Sequence, residues 1–182
     1  MLISPYYFSH KLALQLCGAQ VKICNFDKHT LKPNWDELGQ IMARDRPKAI
    51  VITSPNNPSG AIWTEDDLKR VIDLAKLYQS WLIVDQTYYE FIFQDRNNDD
   101  ITDSFHSPDS TLPPPAPTHN RHVFPCNSKY EYERIIHIFS FSKSFGIPGW
   151  RIGYAVFPDS LTLQIRKVIT DEDGNITVKA AL

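Results

Sequence analysis

The sequence has few cysteines, little net charge and no long hydrophobic run, and each shortage excludes a class of protein. Its three cysteines are odd in number and lack metal-ligand spacing, so we expect free thiols in a reducing compartment, the cytoplasm, and no metal site. A formal net charge of -2 gives no reason to expect nucleic-acid binding. No apolar run is long enough to span a membrane, and the first residues lack the basic start of a signal peptide.

Short apolar segments alternate with amphipathic ones along the 182 residues. This alternation predicts strands over 2–4, 20–25, 49–53, 81–85, 135–139 and 152–157. It also predicts helices over 8–17, 34–43, 65–78 and 160–168. Strands that alternate with helices of this length predict an α/β fold with a mostly parallel sheet flanked by helices.

The helix over 65–78 has the clearest signals. Thr64 precedes it as a cap, and acidic residues fill its first turn. An apolar stripe is predicted from Leu68, Val71, Ile72, Ala75 and Leu77. We therefore expect this helix to pack against the sheet through one face.

Two stretches depart from the alternation. Residues 94–133 contain a polar run and a proline-rich segment, and we interpret them as a flexible surface insertion. Residues 171–182 start with acidic, turn-forming residues, and we interpret them as an acidic tail. The predicted domain therefore covers residues 1–170 and includes the insertion.

The segment 140–154 sets one lysine and one arginine among small, hydroxylated and turn-forming residues. It follows a predicted apolar strand, so Lys143 should lie just past the carboxyl end of that strand, where open α/β sheets bind ligands. A lysine that is partly desolvated near other cations loses proton affinity and can attack a carbonyl carbon to form a Schiff base. Groups suited to a phosphate come from Ser140, Ser142 and Arg151. An ordinary surface lysine is the alternative interpretation of Lys143 alone.

This segment resembles the lysine motif of the pyridoxal-phosphate-dependent aminotransferases of fold type I, the class I and II family. The resemblance implies that Lys143 forms the Schiff base with pyridoxal phosphate and that Arg151 binds the cofactor phosphate. It also implies that the hydroxyl groups of Ser140 and Ser142 lie near that phosphate. The expected fold is the large domain of this family, incomplete at both ends.

An aspartate and a tyrosine follow the predicted strand over 81–85. A carboxylate at the end of a buried strand needs a cationic partner, and a protonated pyridine nitrogen is one. The resemblance implies that Asp85 keeps the cofactor ring protonated as an electron sink and that Tyr88 donates a hydrogen bond to its phenolic oxygen. The alternative is a helix-capping aspartate followed by a packed tyrosine.

Two further elements of the resemblance lie closer to the start of the chain. Residues 54–60 read Ser-Pro-Asn-Asn-Pro-Ser-Gly and predict a tight loop after a strand. This loop resembles the family's Asn-Pro-x-Gly element, which implies that Asn57 bonds to the phenolic oxygen, although a plain turn also explains the prolines and the glycine. The resemblance also implies that Tyr7 stacks on the cofactor ring, with core packing as the alternative.

The whole resemblance implies a transaminase that moves an amino group from an amino acid, with an aromatic one suggested by the nearby aromatic residues, to a 2-oxo acid. Its catalytic residues would be Lys143, Asp85 and Tyr88, and the full-length protein would be a homodimer. Two alternatives stay open. One is a pyridoxal-phosphate lyase or synthase of the same fold. The other is a truncated, inactive pseudoenzyme that acts as an interaction module, since the family's chains are longer.

Overall fold

The computed structural model describes residues 1–30, 32–92 and 132–161. Its strands are β1 (Leu2–Ser4), β2 (Ile23–Asn25), β3 (Ala49–Thr53), β4 (Trp81–Asp85), β5 (Ile135–Ser140) and β6 (Gly153–Val156). Its helices are α1 (Phe8–Leu16), α2 (Trp35–Asp45), α3 (Glu65–Tyr78) and α4 (Phe141–Ser144), and a 3-10 turn at Pro148–Trp150 precedes β6. From β1 to β4, strands and helices therefore alternate as the sequence predicts.

The six strands form one mixed sheet in the order β2-β1-β3-β4-β5-β6. All neighbouring pairs from β2 to β5 are parallel, and β6 runs antiparallel to β5. The predicted α/β fold with a mostly parallel sheet is confirmed. Because β1, β3, β4 and β5 point the same way, the loops that leave their carboxyl ends meet at one edge of the sheet.

The core lies between one face of the sheet and helices α2 and α3. Alternating residues of the central strands point to this face, as the burial of Ile50, Ile52, Leu82 and Val84 shows. The helices add Leu38, Ile41, Met42, Leu68, Val71, Ile72 and Ala75 to the same cluster. Among the described residues, most of this hydrophobic cluster therefore lies near β1 to β4.

Helix α3 begins and ends where the sequence predicts. The Thr64 hydroxyl accepts a hydrogen bond from the Asp67 backbone N–H, and the Asp67 carboxylate accepts one from the Thr64 backbone N–H. Gln79, with a left-handed backbone, ends the helix. The prediction that Leu77 belongs to the buried stripe is wrong, since its side chain is 69% exposed. Leu77 lies nine residues after Leu68, which is about two and a half helical turns and so the opposite side.

Two strands are shorter in the structure than the sequence predicts. The strand predicted over 20–25 is confined to β2, because β1 offers only three residues to pair with it. The strand predicted over 152–157 starts at Gly153 and ends at Val156.

Only the start of the helix predicted over 160–168 falls within the described residues. The acidic tail at 171–182 and the predicted insertion, except for Tyr132 and Glu133, lie outside them, so both stay predictions.

In the part of the chain that the structure describes, no helix is long and apolar enough to cross a membrane. The same residues contain no group of three or more side chains that could hold a metal ion.

Candidate active site

A cavity of about 390 Å³ lies at the carboxyl edge of the sheet, where the loops after β1, β3, β4 and β5 meet. Three of its lining residues, Thr53, Thr87 and Pro148, were not predicted from the sequence. The other lining residues are the eight that the sequence predicts: Tyr7, Asn57, Asp85, Tyr88, Ser140, Ser142, Lys143 and Arg151. The fold therefore brings together every residue that the motifs single out.

Asp85 is the most buried of these eight residues, with 9% of its surface exposed. Its Oδ2 lies 2.9 Å from Nε2 of His10 on α1. Its Oδ1 accepts hydrogen bonds from the backbone N–H of Thr87 at 3.0 Å and from the Thr87 hydroxyl at 2.7 Å. Burial raises the pKa of the Asp85 carboxyl, but the hydrogen bonds from His10 and Thr87 outweigh it and lower the pKa. Asp85 is therefore a carboxylate at neutral pH.

His10 and Thr87 are the two partners of Asp85 that sequence reasoning missed. A threonine two positions after an aspartate is the pattern of a local Asx-type turn, and this signal identifies Thr87. His10 is 75 positions from Asp85, so no local pattern links the two. The His10 ring also meets the Tyr7 ring edge-on, with 5.5 Å between their centres. His10 therefore contacts two residues of the cavity.

The two asparagines of the loop after β3 have different roles, since one holds the loop in place and the other lines the cavity. Asn56 is buried, and its amide donates hydrogen bonds to the Pro5 carbonyl at 3.0 Å and to the Ser59 hydroxyl at 2.7 Å. These bonds attach the loop to the segment that follows β1. Asn57 lines the cavity and is half-buried. Because Asn56 holds the loop, the Asn57 side chain is left to face the cavity.

Lys143 lies on α4, the single helical turn that starts directly after β5. Ser140 caps this turn, since its hydroxyl accepts a hydrogen bond from the Ser142 backbone N–H at 3.2 Å. The Lys143 Nζ lies 5.9 Å from the centre of the Tyr88 ring. Lys143 is exposed, so the predicted partial desolvation is not found in this chain. The reason is that α4 lies beyond the core, in the described segment 141–161, where no residue is buried.

Arg151 joins the 3-10 turn to β6 with a left-handed backbone, at a φ of 54°. A residue with a Cβ pays about 1 to 2 kcal/mol for this conformation, and such residues concentrate at ligand sites. Its guanidinium is exposed and donates a hydrogen bond from Nη1 to the Pro148 carbonyl at 3.1 Å. The left-handed backbone thus turns the chain into β6 at a residue that lines the cavity.

The arrangement can bind a small molecule with several distinct polar groups. A fixed carboxylate lies on the β4 side of the cavity, while an amine, a guanidinium and two hydroxyl groups come from the last residue of β5 and the segment that follows it. Amide and phenol donors from Asn57 and Tyr88 line the same space. An amine in such a cavity can attack an aldehyde, and the cationic and hydroxyl groups suit a phosphate.

The family model "Aminotransferase class I and II" matches residues 1–171. An aromatic aminotransferase of Arabidopsis thaliana is 28% identical over 185 residues, which cover 100% of this chain and 39% of that protein. An aspartate aminotransferase of Thermotoga maritima is 24% identical and is matched over 92% of this chain and 38% of its own length. The chain therefore spans about two fifths of the length of these curated relatives.

Solved structures show the same fold. A pyridoxal-phosphate-bound C-S lyase of Staphylococcus hominis matches with a TM-score of 0.73 and 19% identity, over 91% of this chain and 37% of that one. The N-succinyldiaminopimelate aminotransferase of Mycobacterium tuberculosis matches with a TM-score of 0.70 and 25% identity, also over 91% of this chain and 37% of that one.

Proposed function

Because this chain belongs to the aminotransferase class I and II family, we propose that the protein is a pyridoxal-phosphate-dependent aminotransferase. Residues 1–170 would form part of its cofactor-binding large domain, with an insertion at 94–133. The observation that carries the proposal is the cavity around which the eight predicted cofactor-binding residues meet.

The donor set of the cavity fits pyridoxal phosphate, because each polar group of the cofactor has a chemically suited residue. The Asp85 carboxylate, whose pKa is lowered by its hydrogen bonds although burial opposes this, suits a protonated ring nitrogen. The Lys143 amine suits the aldehyde. The remaining groups would be held by Arg151, Ser140 and Ser142 at the phosphate, by Asn57 and Tyr88 at the phenolic oxygen and by Tyr7 against the ring.

When bound, pyridoxal phosphate supplies an aldehyde for amines and a ring that accepts electrons from the substrate's α-carbon. The Lys143 amine would hold the aldehyde until a substrate amine displaces it. Its Nζ would then take the α-proton as a general base and return a proton as a general acid. Asp85 would keep the proton on the ring nitrogen, while His10 and Thr87 hold its carboxylate in place.

The proposed reaction moves the amino group of an amino acid to a 2-oxo acid, and we propose an aromatic amino acid as the donor. The 28% identity to an aromatic aminotransferase supports this choice. Aromatic side chains at the cavity also support it, since the Tyr7 and Tyr88 rings line the cavity and the exposed Phe8 ring contacts Tyr7. The likeness to a C-S lyase supports the fold alone, so the lyase reaction is not favoured.

A homodimer and a cytoplasmic location complete the proposal. The exposure of Lys143 and Arg151 leaves this side of the site open to contact with a second subunit, which supports the homodimer. Cys17 and Cys24 are free thiols, which supports a reducing compartment.

Addition of pyridoxal phosphate to the purified protein tests the proposal. We expect a visible absorption band that disappears in Lys143→Arg, because a guanidinium keeps the charge but does not attack the aldehyde. The same exchange at Lys69, an exposed lysine on α3, should leave the band unchanged. An aromatic amino acid should then bleach the band, and a 2-oxo acid should restore it.

Three results would contradict parts of this function. A band that persists in Lys143→Arg would exclude Lys143 as the cofactor lysine. A band that persists while the amino acid is converted to an oxo acid and ammonia, with no 2-oxo acid added, would favour lyase chemistry. No band at all would favour the inactive interaction module.

A further inference from the structure

Strand β6 approaches the end of β5 very closely at Gly153, which pairs with Ser140. A Cβ atom built on Gly153 would lie 2.6 Å from the carbonyl oxygen of Phe139 and 3.6 Å from the Cα of Ser140. Both atoms belong to the backbone of the neighbouring strand, so no side-chain rotation can relieve the contact. The φ of Gly153 lies outside the left-handed region. Glycine is therefore required here by the close approach of the two strands.

This close approach determines where Arg151 lies. Arg151 precedes Gly153 by two residues, and Ile152 between them is hydrogen-bonded to the first residue of α4, directly after β5. Its carbonyl accepts a hydrogen bond from the Phe141 backbone N–H at 3.2 Å. Any outward movement of β6 at Gly153 would therefore carry Arg151 away from Ser140 and from α4.

The residues on both sides of this contact line the same cavity. Arg151 comes from the β6 side, whereas Ser140 and Ser142 come from the β5 side. Ser140 is itself the pairing partner of Gly153. The distance from the Arg151 backbone to Ser140 and Ser142 therefore depends on how closely β6 packs on β5.

We propose that Gly153 is a positioning residue for the cofactor phosphate: the absence of a side chain there keeps Arg151 close enough to Ser140 and Ser142 for the three to bind one phosphate. This inference rests on the proposed function, since it takes the phosphate to be that of pyridoxal phosphate. Gly153 itself touches no reacting atom in this arrangement and acts through Arg151.

A comparison of two aldehydes distinguishes an effect on phosphate binding from an effect on the reaction with the lysine. Pyridoxal phosphate and pyridoxal both carry the aldehyde, and only the first carries the phosphate. We expect Gly153→Ala to weaken the binding of pyridoxal phosphate about tenfold or more, measured by the Lys143-dependent band, because hydrogen bonds to a charged group are lost. The affinity for pyridoxal should change less than about twofold, since only the phosphate contact differs.

The matched control is Gly39→Ala in α2, where no atom lies within 4 Å of the added Cβ. This variant should bind both aldehydes as the wild type does. A second variant, Arg151→Gln, tests whether Gly153 acts through the arginine. If it does, adding Gly153→Ala to Arg151→Gln should weaken pyridoxal phosphate binding no further.

Several outcomes would overturn the inference. One is an unchanged affinity for pyridoxal phosphate in Gly153→Ala. Another is an equal loss for both aldehydes, including a loss caused by unfolding, because a local shift of Arg151 has to spare the aldehyde without a phosphate. The inference would also be overturned if the losses of pyridoxal phosphate affinity in Gly153→Ala and Arg151→Gln added fully in the double variant. A wild-type protein that shows no band with either aldehyde would instead contradict the proposed function.

Discussion

Two regions of the molecule differ in how deeply they are packed, and the candidate site draws on both. Strands β1 to β4 with α2 and α3 contain most of the hydrophobic cluster, to which β5 adds Ile135. In the described segment 141–161, by contrast, no residue is buried. Asp85 belongs to the packed region and has three hydrogen bonds, whereas Lys143 and Arg151 belong to the exposed one.

The difference matches two requirements that the proposed function places on the groups of the site. A carboxylate that must stay charged and in one orientation is buried and held by its neighbours. The amine and the guanidinium that would reach an aldehyde and a phosphate lie outside the packed core, on the segment between β5 and β6. The packed region therefore acts as the scaffold for the exposed one.

The largest effect on stability is expected from a core substitution. Leu82 on β4 is fully buried, so Leu82→Ala should lower the free energy of unfolding by about 2 to 5 kcal/mol. The matched control is Leu77→Ala on α3, which should change it by less than about 0.5 kcal/mol because Leu77 is exposed. Chemical denaturation measures both. Similar losses at the two sites would remove the distinction between packed and exposed residues.

A smaller effect is expected from the cap of α3. Thr64→Ala removes the hydroxyl that accepts the Asp67 N–H bond and should lower the free energy of unfolding by about 1 kcal/mol. Thr64→Ser keeps the hydroxyl and should stay close to the wild type. Since this cap belongs to the scaffold, the affinity for pyridoxal phosphate should not change in the folded variant. A change in that affinity would show that the two regions are not separate.

The smallest change in the free energy of unfolding is expected from a lowering of the pH. The pKa of Asp85 is lowered in the folded protein, because its hydrogen bonds outweigh the opposing effect of burial. Its carboxylate therefore contributes stability above the pKa of an unfolded aspartate, about 3.9, and loses it as the pH falls through the lower folded pKa. The stability difference between the wild type and Asp85→Asn should shrink on acidification below about pH 4. Carboxylates common to both proteins cancel in this difference, and a difference that grows would contradict the assignment.

Local signals in the sequence were enough to predict most of the fold. Helix α3 and its neighbours β3 and β4 have their predicted bounds, because the Thr64 cap and the short apolar runs depend only on nearby residues. The extent of β2 could not be predicted in this way, since it depends on the length of β1, which pairs with it across the sheet. The exposure of Leu77 was missed because the predicted stripe included a residue that the 3.6-residue period places on the opposite side of the helix.

In the site, too, local signals predicted the residues of each motif, whereas contacts between distant segments were missed. Motifs identified eight residues that line one cavity, because each motif is a run of neighbouring residues after a strand. The contact between His10 and Asp85 depends on where α1 lies relative to the end of β4, which no single segment encodes. The exposure of Lys143 likewise depends on which elements pack around α4.

In the proposed function, Lys143 is the residue that carries pyridoxal phosphate. Borohydride reduction of the protein with pyridoxal phosphate attaches a pyridoxyl group permanently to whichever lysine reacted, and peptide mass spectrometry locates it. We predict that the group is found on Lys143 and that exposed lysines such as Lys69 stay unmodified. A group spread over exposed lysines, with Lys143 unmodified, would contradict the claim.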